Sequence, residues 1–287
     1  MISYGALAQD EAAPPPAAAP EAAPPAAAAP EAAPAPAPAP AAAPAAGGDY
    51  VSRGLTLSAG TFQVTLPVVI GLDKGAAFKK IQIPLDLRYG VTNELEVFAT
   101  HSFIGTSPVF SGGGVCIGDK NPYCPKVYNN VAVGGQYSLL KQPGLELSGL
   151  LAVDIRAFSP DLLLDIDVGV GFKYSASPIA VKVTPVIGIG ANKRSTGNIK
   201  QFISVPVQVA FQATPELALF VDTGIFGMSD HFSDNYIVPA GLGASFAVQK
   251  GLDVGAEFMF TGLVTGVKGD KAMDARSAMV FAAYRTN

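Results

Sequence analysis

Four groups of residues have the types and spacing that chemistry uses. His101-Ser102 sets an imidazole beside a hydroxyl, the raw material of an activated nucleophile. His231 lies between Asp230 and Asp234, and Cys116 and Cys124 are separated by seven residues in a Gly-, Pro- and Asn-rich loop. Asp154, Arg156, Asp165 and Asp167 bring three carboxylates and one guanidinium together within fourteen residues. The first group fails if its segment is a strand, because neighbouring strand residues point to opposite faces and cannot share a proton. His231 reads as a solvated loop residue. No catalytic residue is assigned, and with two histidines in the chain no metal or cofactor site is expected. The cysteines suit either a disulfide, which implies an oxidising compartment, or two free loop thiols. The acid-rich group suits a charged lining, provided that some element turns it to one surface.

Composition narrows what that element is. Residues are 49% hydrophobic and only 15% charged, against about a quarter charged in an ordinary soluble domain. Yet no run of 18 or more uncharged apolar residues exists, so a transmembrane helix is excluded while strands of about ten residues remain possible. Asp10, Glu11, Glu21 and Glu31 are the only charges among the first 48 residues, which leaves 19 acidic and 19 basic residues in the rest. That balance gives no basic patch for a nucleic acid. Residues 11–40 repeat with a period of ten, EAAPPPAAAP EAAPPAAAAP EAAPAPAPAP, and proline at this density blocks helix and ladder alike. Residues 9–48 are therefore expected to form an unpacked, extended tail reaching on the order of 120 Å. Ala6-Leu7-Ala8 has the small-x-small form of a secretory cleavage site, so residues 1–8 are read as a signal-peptide remnant and 49–287 as the folded domain.

From Tyr50 onward the sequence alternates with period two in twelve segments, near 54–70, 78–90, 94–104, 128–139, 145–157, 162–174, 178–191, 200–212, 216–226, 236–248, 252–262 and 275–285. Most have ten or more residues, longer than strands of soluble proteins. The even-numbered connections are tight (VTNE, KQPG, SASP, ATPE, QKG), and the odd-numbered ones vary and run longer. Tyr89, Tyr137, Tyr174, Phe211, Phe246 and Tyr284 each sit at the end of an even-numbered segment with apolar parity. Six rings at one level on the apolar face predict an interfacial girdle, with lipid outside. The opposite parity carries Lys80, Asp86, Arg88, Asp154, Arg156, Asp165, Asp167, Lys173, Lys182, Asp222 and Glu257, expected to line an interior. A soluble barrel of the lipocalin kind would bury the apolar side instead. Gly169, Gly171, Gly188, Gly190, Gly241, Gly243 and Gly255 share the interior parity and are expected to leave free space. Arg88 and Glu96 are expected to pair across the VTNE hairpin.

The expected fold is thus all-β, a transmembrane antiparallel up-and-down barrel of about twelve strands behind a disordered Ala/Pro tail. The long first segment and the loop around Cys116 leave counts of ten and fourteen open. This pattern, with the hairpin Tyr89-Gly-Val-Thr-Asn-Glu-Leu-Glu-Val97, resembles the bacterial outer-membrane β-barrels of the porin-like family over roughly residues 50–287. One departure is that Tyr284 is followed by Arg-Thr-Asn, where such chains usually end on an aromatic residue. The resemblance implies an outer-membrane location, short turns and tail in the periplasm, and a passive pore for small hydrophilic solutes rather than an enzyme. The three carboxylates near the outer mouth predict a weak cation preference. A non-conducting barrel, anchoring partners through its tail or outer loops, is the alternative. The expected partners are the lipid bilayer, small solutes and a periplasmic or cell-wall partner of the tail.

Overall fold

A computed structural model describes residues 49–74, 81–101, 115–117, 131–158, 161–194, 200–266 and 273–286. Twelve antiparallel strands form one closed barrel. They are β1 (Phe62–Gly71), β2 (Ile81–Ile83 and Asp86–Gly90), β3 (Leu95–Thr100 and Val115–Ile117) and β4 (Val131–Gln142). Then come β5 (Leu145–Ala157), β6 (Leu163–Ala176), β7 (Ile179–Val183 and Val186–Gly190) and β8 (Gln201–Gln212). The last four are β9 (Leu217–Met228), β10 (Tyr236–Gln249), β11 (Leu252–Thr265) and β12 (Arg276–Arg285). Each strand pairs with the next, and β12 returns to β1 from Gln63–Arg285 to Gly71–Ser277, so the sheet has no free edge. Among the described residues no helix is long and apolar enough to cross a membrane, which says nothing of a barrel of strands.

Alternation makes this barrel with its apolar side outward. Val133, Leu151, Val168, Ile187, Leu242 and Val280 are exposed, whereas their neighbours Ala132, Ala152, Asp167 and Met279 are buried inside. All six ring residues of the expected girdle point outward, between 45% and 52% exposed, and sit within a few residues of the short turns. Adjacent register keeps them level: Tyr89 opposes Phe62, Tyr137 opposes Leu95, Tyr174 opposes Leu145, and Phe246 opposes Leu217. Two strands are interrupted at prolines, β2 at Pro84 and β7 at Pro185, as expected of a residue that cannot donate to a ladder. Their neighbours find other partners, with His101 N donating to Leu85 O and Val170 N to Pro185 O.

Four expectations need correction or fall outside the description. The first strand begins at Phe62, not near residue 54: residues 49–59 form no ladder, and Gly60 and Thr61 only bond backbone to backbone with Gly90, although Leu55, Leu57 and Thr56 alternate as strand residues do. Gly60 adopts a left-handed backbone (φ 75°) that breaks the run. The fourth strand ends at Gln142 instead of 139: past a bulge between Ser138 and Leu140 the ladder continues through Lys141–Glu146 and Gln142–Leu145. Cys116 is not in a loop; it lies in the second part of β3, opposite Gln82, as Val-Cys-Ile is apolar enough to pair. On that strand Thr100 opposes Asp86 while Val115 opposes Ile83. Cys124, and with it any disulfide, lies outside the described residues, as do Lys80, Ser102, the tail and the signal-like remnant.

Candidate functional site: the barrel lumen

The site is built by inward parity. Toward the long-loop end, Asp154 of β5 and Asp165 of β6 are direct cross-strand neighbours, and Asp167 follows two residues along on the same face. Arg156 Nη1 donates to Asp165 Oδ2 at 3.1 Å, and the guanidinium also lies 5.9 Å from the Phe202 ring centroid. Asp167 is fully buried, and neither of its oxygens has a hydrogen-bond partner among the described residues. The four residues therefore assemble on one inward face, as the sequence implies, with the three carboxylates buried and the Arg156 guanidinium partly exposed. Phe98, Ala132, Leu150, Ala152, Val186 and Phe202 pack together inside the barrel beside this group.

Glycines explain how so narrow a tube holds rings. A Cβ on Gly188 would land on the Phe202 ring and 2.6 Å from Asp167 Oδ1; on Gly243 it would strike Phe220, and on Gly255 Phe281. At these three positions the space is thus occupied by aromatic side chains from adjacent strands, where free lumen was expected.

Toward the short-turn end the lumen opens into a cavity of about 1110 Å³ lined by both signs of charge. Arg88 Nε meets Asp86 Oδ1 at 3.0 Å and its Nη1 meets Glu96 Oε1 at 2.9 Å, so the pair expected across the hairpin forms as a triad. Gln208 Nε2 donates to Asp222 Oδ1 at 3.1 Å, and Glu257 is buried against Gly241, the cross-strand neighbour of Asp222. Lys173 is buried, with Nζ 3.7 Å from Glu146 Oε1. Lys182 places Nζ 5.4 Å from the ring centroid of Tyr50.

That ring belongs to a segment no strand accounts for. Residues 49–59 run across the mouth from one wall to the other. Ala59 N donates to Asn93 Oδ1 (3.2 Å) beside the β2–β3 turn, Leu57 N to Glu96 Oε2 (2.9 Å), and Leu55 N to Glu146 Oε2 (2.7 Å). The carbonyl of Arg53 accepts from Lys173 Nζ at 2.5 Å, and Arg53 Nη2 reaches Asp253 Oδ1 at 2.8 Å, which Arg285 also holds. At the far side Tyr50 stacks on Phe220 with centroids 6.1 Å apart, donates its hydroxyl to Gln208 at 3.2 Å, and leaves Val51 buried with Ala180 and Ala210. Backbone groups that a strand would pair in a ladder are read here by charged side chains.

Solved structures share this architecture. The NanC porin in a rhombohedral crystal form is similar with a TM-score of 0.53 and 9% identity, over 76% of this chain and 98% of its own. The KdgM porin matches with a TM-score of 0.53 and 8% identity, over 78% and 99%. The fold is that of a porin. The same porin in complex with disordered oligogalacturonate matches with a TM-score of 0.51 and 7% identity, over 78% and 99%. No protein-family model and no curated protein sequence matches the chain.

Of this porin-like barrel, sequence reasoning missed the traversing segment and two lumen residues that serve it, Asp253 and Gln208. One signal was present: an alternating run of seventeen residues, 54–70, is too long for β1, which spans ten. Of the two histidines, His101 is buried at the end of the first part of β3, while His231 precedes the short 3-10 turn Phe232–Asp234 in an exposed loop. Among the described residues no group of three or more His, Cys, Asp and Glu is placed to hold a metal ion.

Proposed function

We propose that this chain is an outer-membrane pore for small hydrophilic solutes with a weak preference for cations. The carrying observation is the inverted dressing of a closed barrel: apolar residues and a ring girdle outside, a charged cavity of about 1110 Å³ inside. Short turns and the Ala/Pro tail then face the periplasm, and the long loops face outward. The cavity lining holds six acidic and five basic side chains, too balanced for a polyanion such as the oligogalacturonate in the KdgM complex. The net acidic character comes from Asp154, Asp165 and Asp167 against the single Arg156, and a low-dielectric layer of that sign favours cations.

The test is single-channel current in a planar bilayer, comparing the wild type with the triple variant Asp154→Asn, Asp165→Asn, Asp167→Asn. Openings whose cation-to-anion permeability ratio falls toward one in the variant support this reading. A second reading, a non-conducting anchor, draws on the packed layer around Phe202. It takes precedence if folded, inserted protein stays silent both as wild type and with residues 49–59 replaced by a Gly-Ser sequence of equal length.

A further inference from the structure

The traversing segment has properties of a ligand rather than of a wall. It makes no strand pairing, it lies in the mouth of the lumen cavity, and its contacts spread over strands far apart around the barrel: β3, β5, β6, β8, β9 and β11. Its recognition is also the recognition of a peptide. Carboxylates of Glu96 and Glu146 take the alternate backbone N–H groups of Leu57 and Leu55, Lys173 takes a carbonyl, Asp253 takes the one guanidinium, and Phe220 takes the ring. Close approach is built in, since a Cβ on Gly90 would collide with the Ser58 carbonyl.

Withdrawal costs the barrel nothing in its ladder. The β1–β12 closure starts at Gln63, beyond the left-handed Gly60, so residues 49–59 can leave while every strand pair stays formed. We infer that residues 49–59 are a self-bound plug, an extended peptide with one arginine and one tyrosine seated in a peptide-binding site of the lumen, and that the pore rests closed until this segment is withdrawn through the short-turn end. The conducting consequence rests on the pore reading above; occupancy of the mouth does not.

Ser245 lines the cavity and is buried, so a cysteine there reports whether the mouth is covered. In a background of Cys116→Ser and Cys124→Ser, the folded Ser245→Cys protein is treated with a water-soluble cationic thiosulfonate. Replacing residues 49–59 by Gly-Ser of equal length is expected to speed modification on the order of tenfold or more. Free peptide DYVSRGLTLSA added to the replaced protein is expected to slow it again, and the same peptide with Arg53→Ala is not. Should the replacement fail to fold, as judged by circular dichroism, Tyr50→Ala with Arg53→Ala carries the test with the same sign. Equal rates with and without the native segment overturn the plug whatever the current. Fast modification of a replaced protein that passes no current keeps the plug and removes the pore.

Discussion

At the scale of single residues the lumen is governed by what each strand lacks as much as by what it carries. Gly188 exists because Phe202 and the Asp167 carboxylate occupy the place of its side chain. Gly188→Ala is expected to destabilise the barrel by about 1–3 kcal/mol through overpacking. Gly149→Ala, whose Cβ meets only Leu139 Cδ1 at 3.8 Å, is expected to be neutral or stabilising by about 0.5–1 kcal/mol. Urea midpoints of the two refolded variants check the contrast. The inward parity of Asp86, Arg88, Asp154, Asp165, Asp167 and Lys173 was legible because side chains alternate along a strand. Their partners were not, because hydrogen bonds such as Lys173 to the Arg53 carbonyl depend on a chain path that periodicity does not encode.

Among the elements, depth in the bilayer decides what a strand tolerates. Leu151 is at the middle of β5 and points outward, to lipid in the proposed setting, whereas Tyr137 belongs to the girdle. Leu151→Arg is therefore expected to cost about 2–4 kcal/mol and Tyr137→Arg about 0–1 kcal/mol. Folding equilibria in lipid vesicles measure both. Strand alternation, turn parity and ring level together made the twelve-strand barrel readable, since each follows from one backbone period and one membrane thickness. The same period misled at residues 54–61, where Leu-Thr-Leu-Ser imitates a strand and only the left-handed Gly60 reveals the break. It also hid the bulge after Ser138 and the return of β3 at Val115, which are events of pairing rather than of pattern.

In the molecule as a whole, the plug joins opposite walls through charged contacts in a solvent-connected cavity. Salt at about 1 M shrinks the screening length to about 3 Å from about 10 Å at 0.1 M, so modification of Ser245→Cys is expected to accelerate with sodium chloride and not with a neutral osmolyte. Labelling rates across a salt series, compared with sucrose, check this. The segment also sets an order of events. Residues 49–59 precede every described strand, yet their hydrogen-bond partners on the barrel lie 34, 39, 91, 120, 158, 161 and 200 positions downstream. Contacts of such sequence separation pay their loop-closure entropy before any reward. Synthesised first, this stretch can dock only after its last partner, on β11, has joined the wall. Assembly therefore passes through a stage in which the nascent barrel is open at the entrance that it will later stopper with its own beginning, and a protease acting in that interval would produce a permanently unstoppered tube.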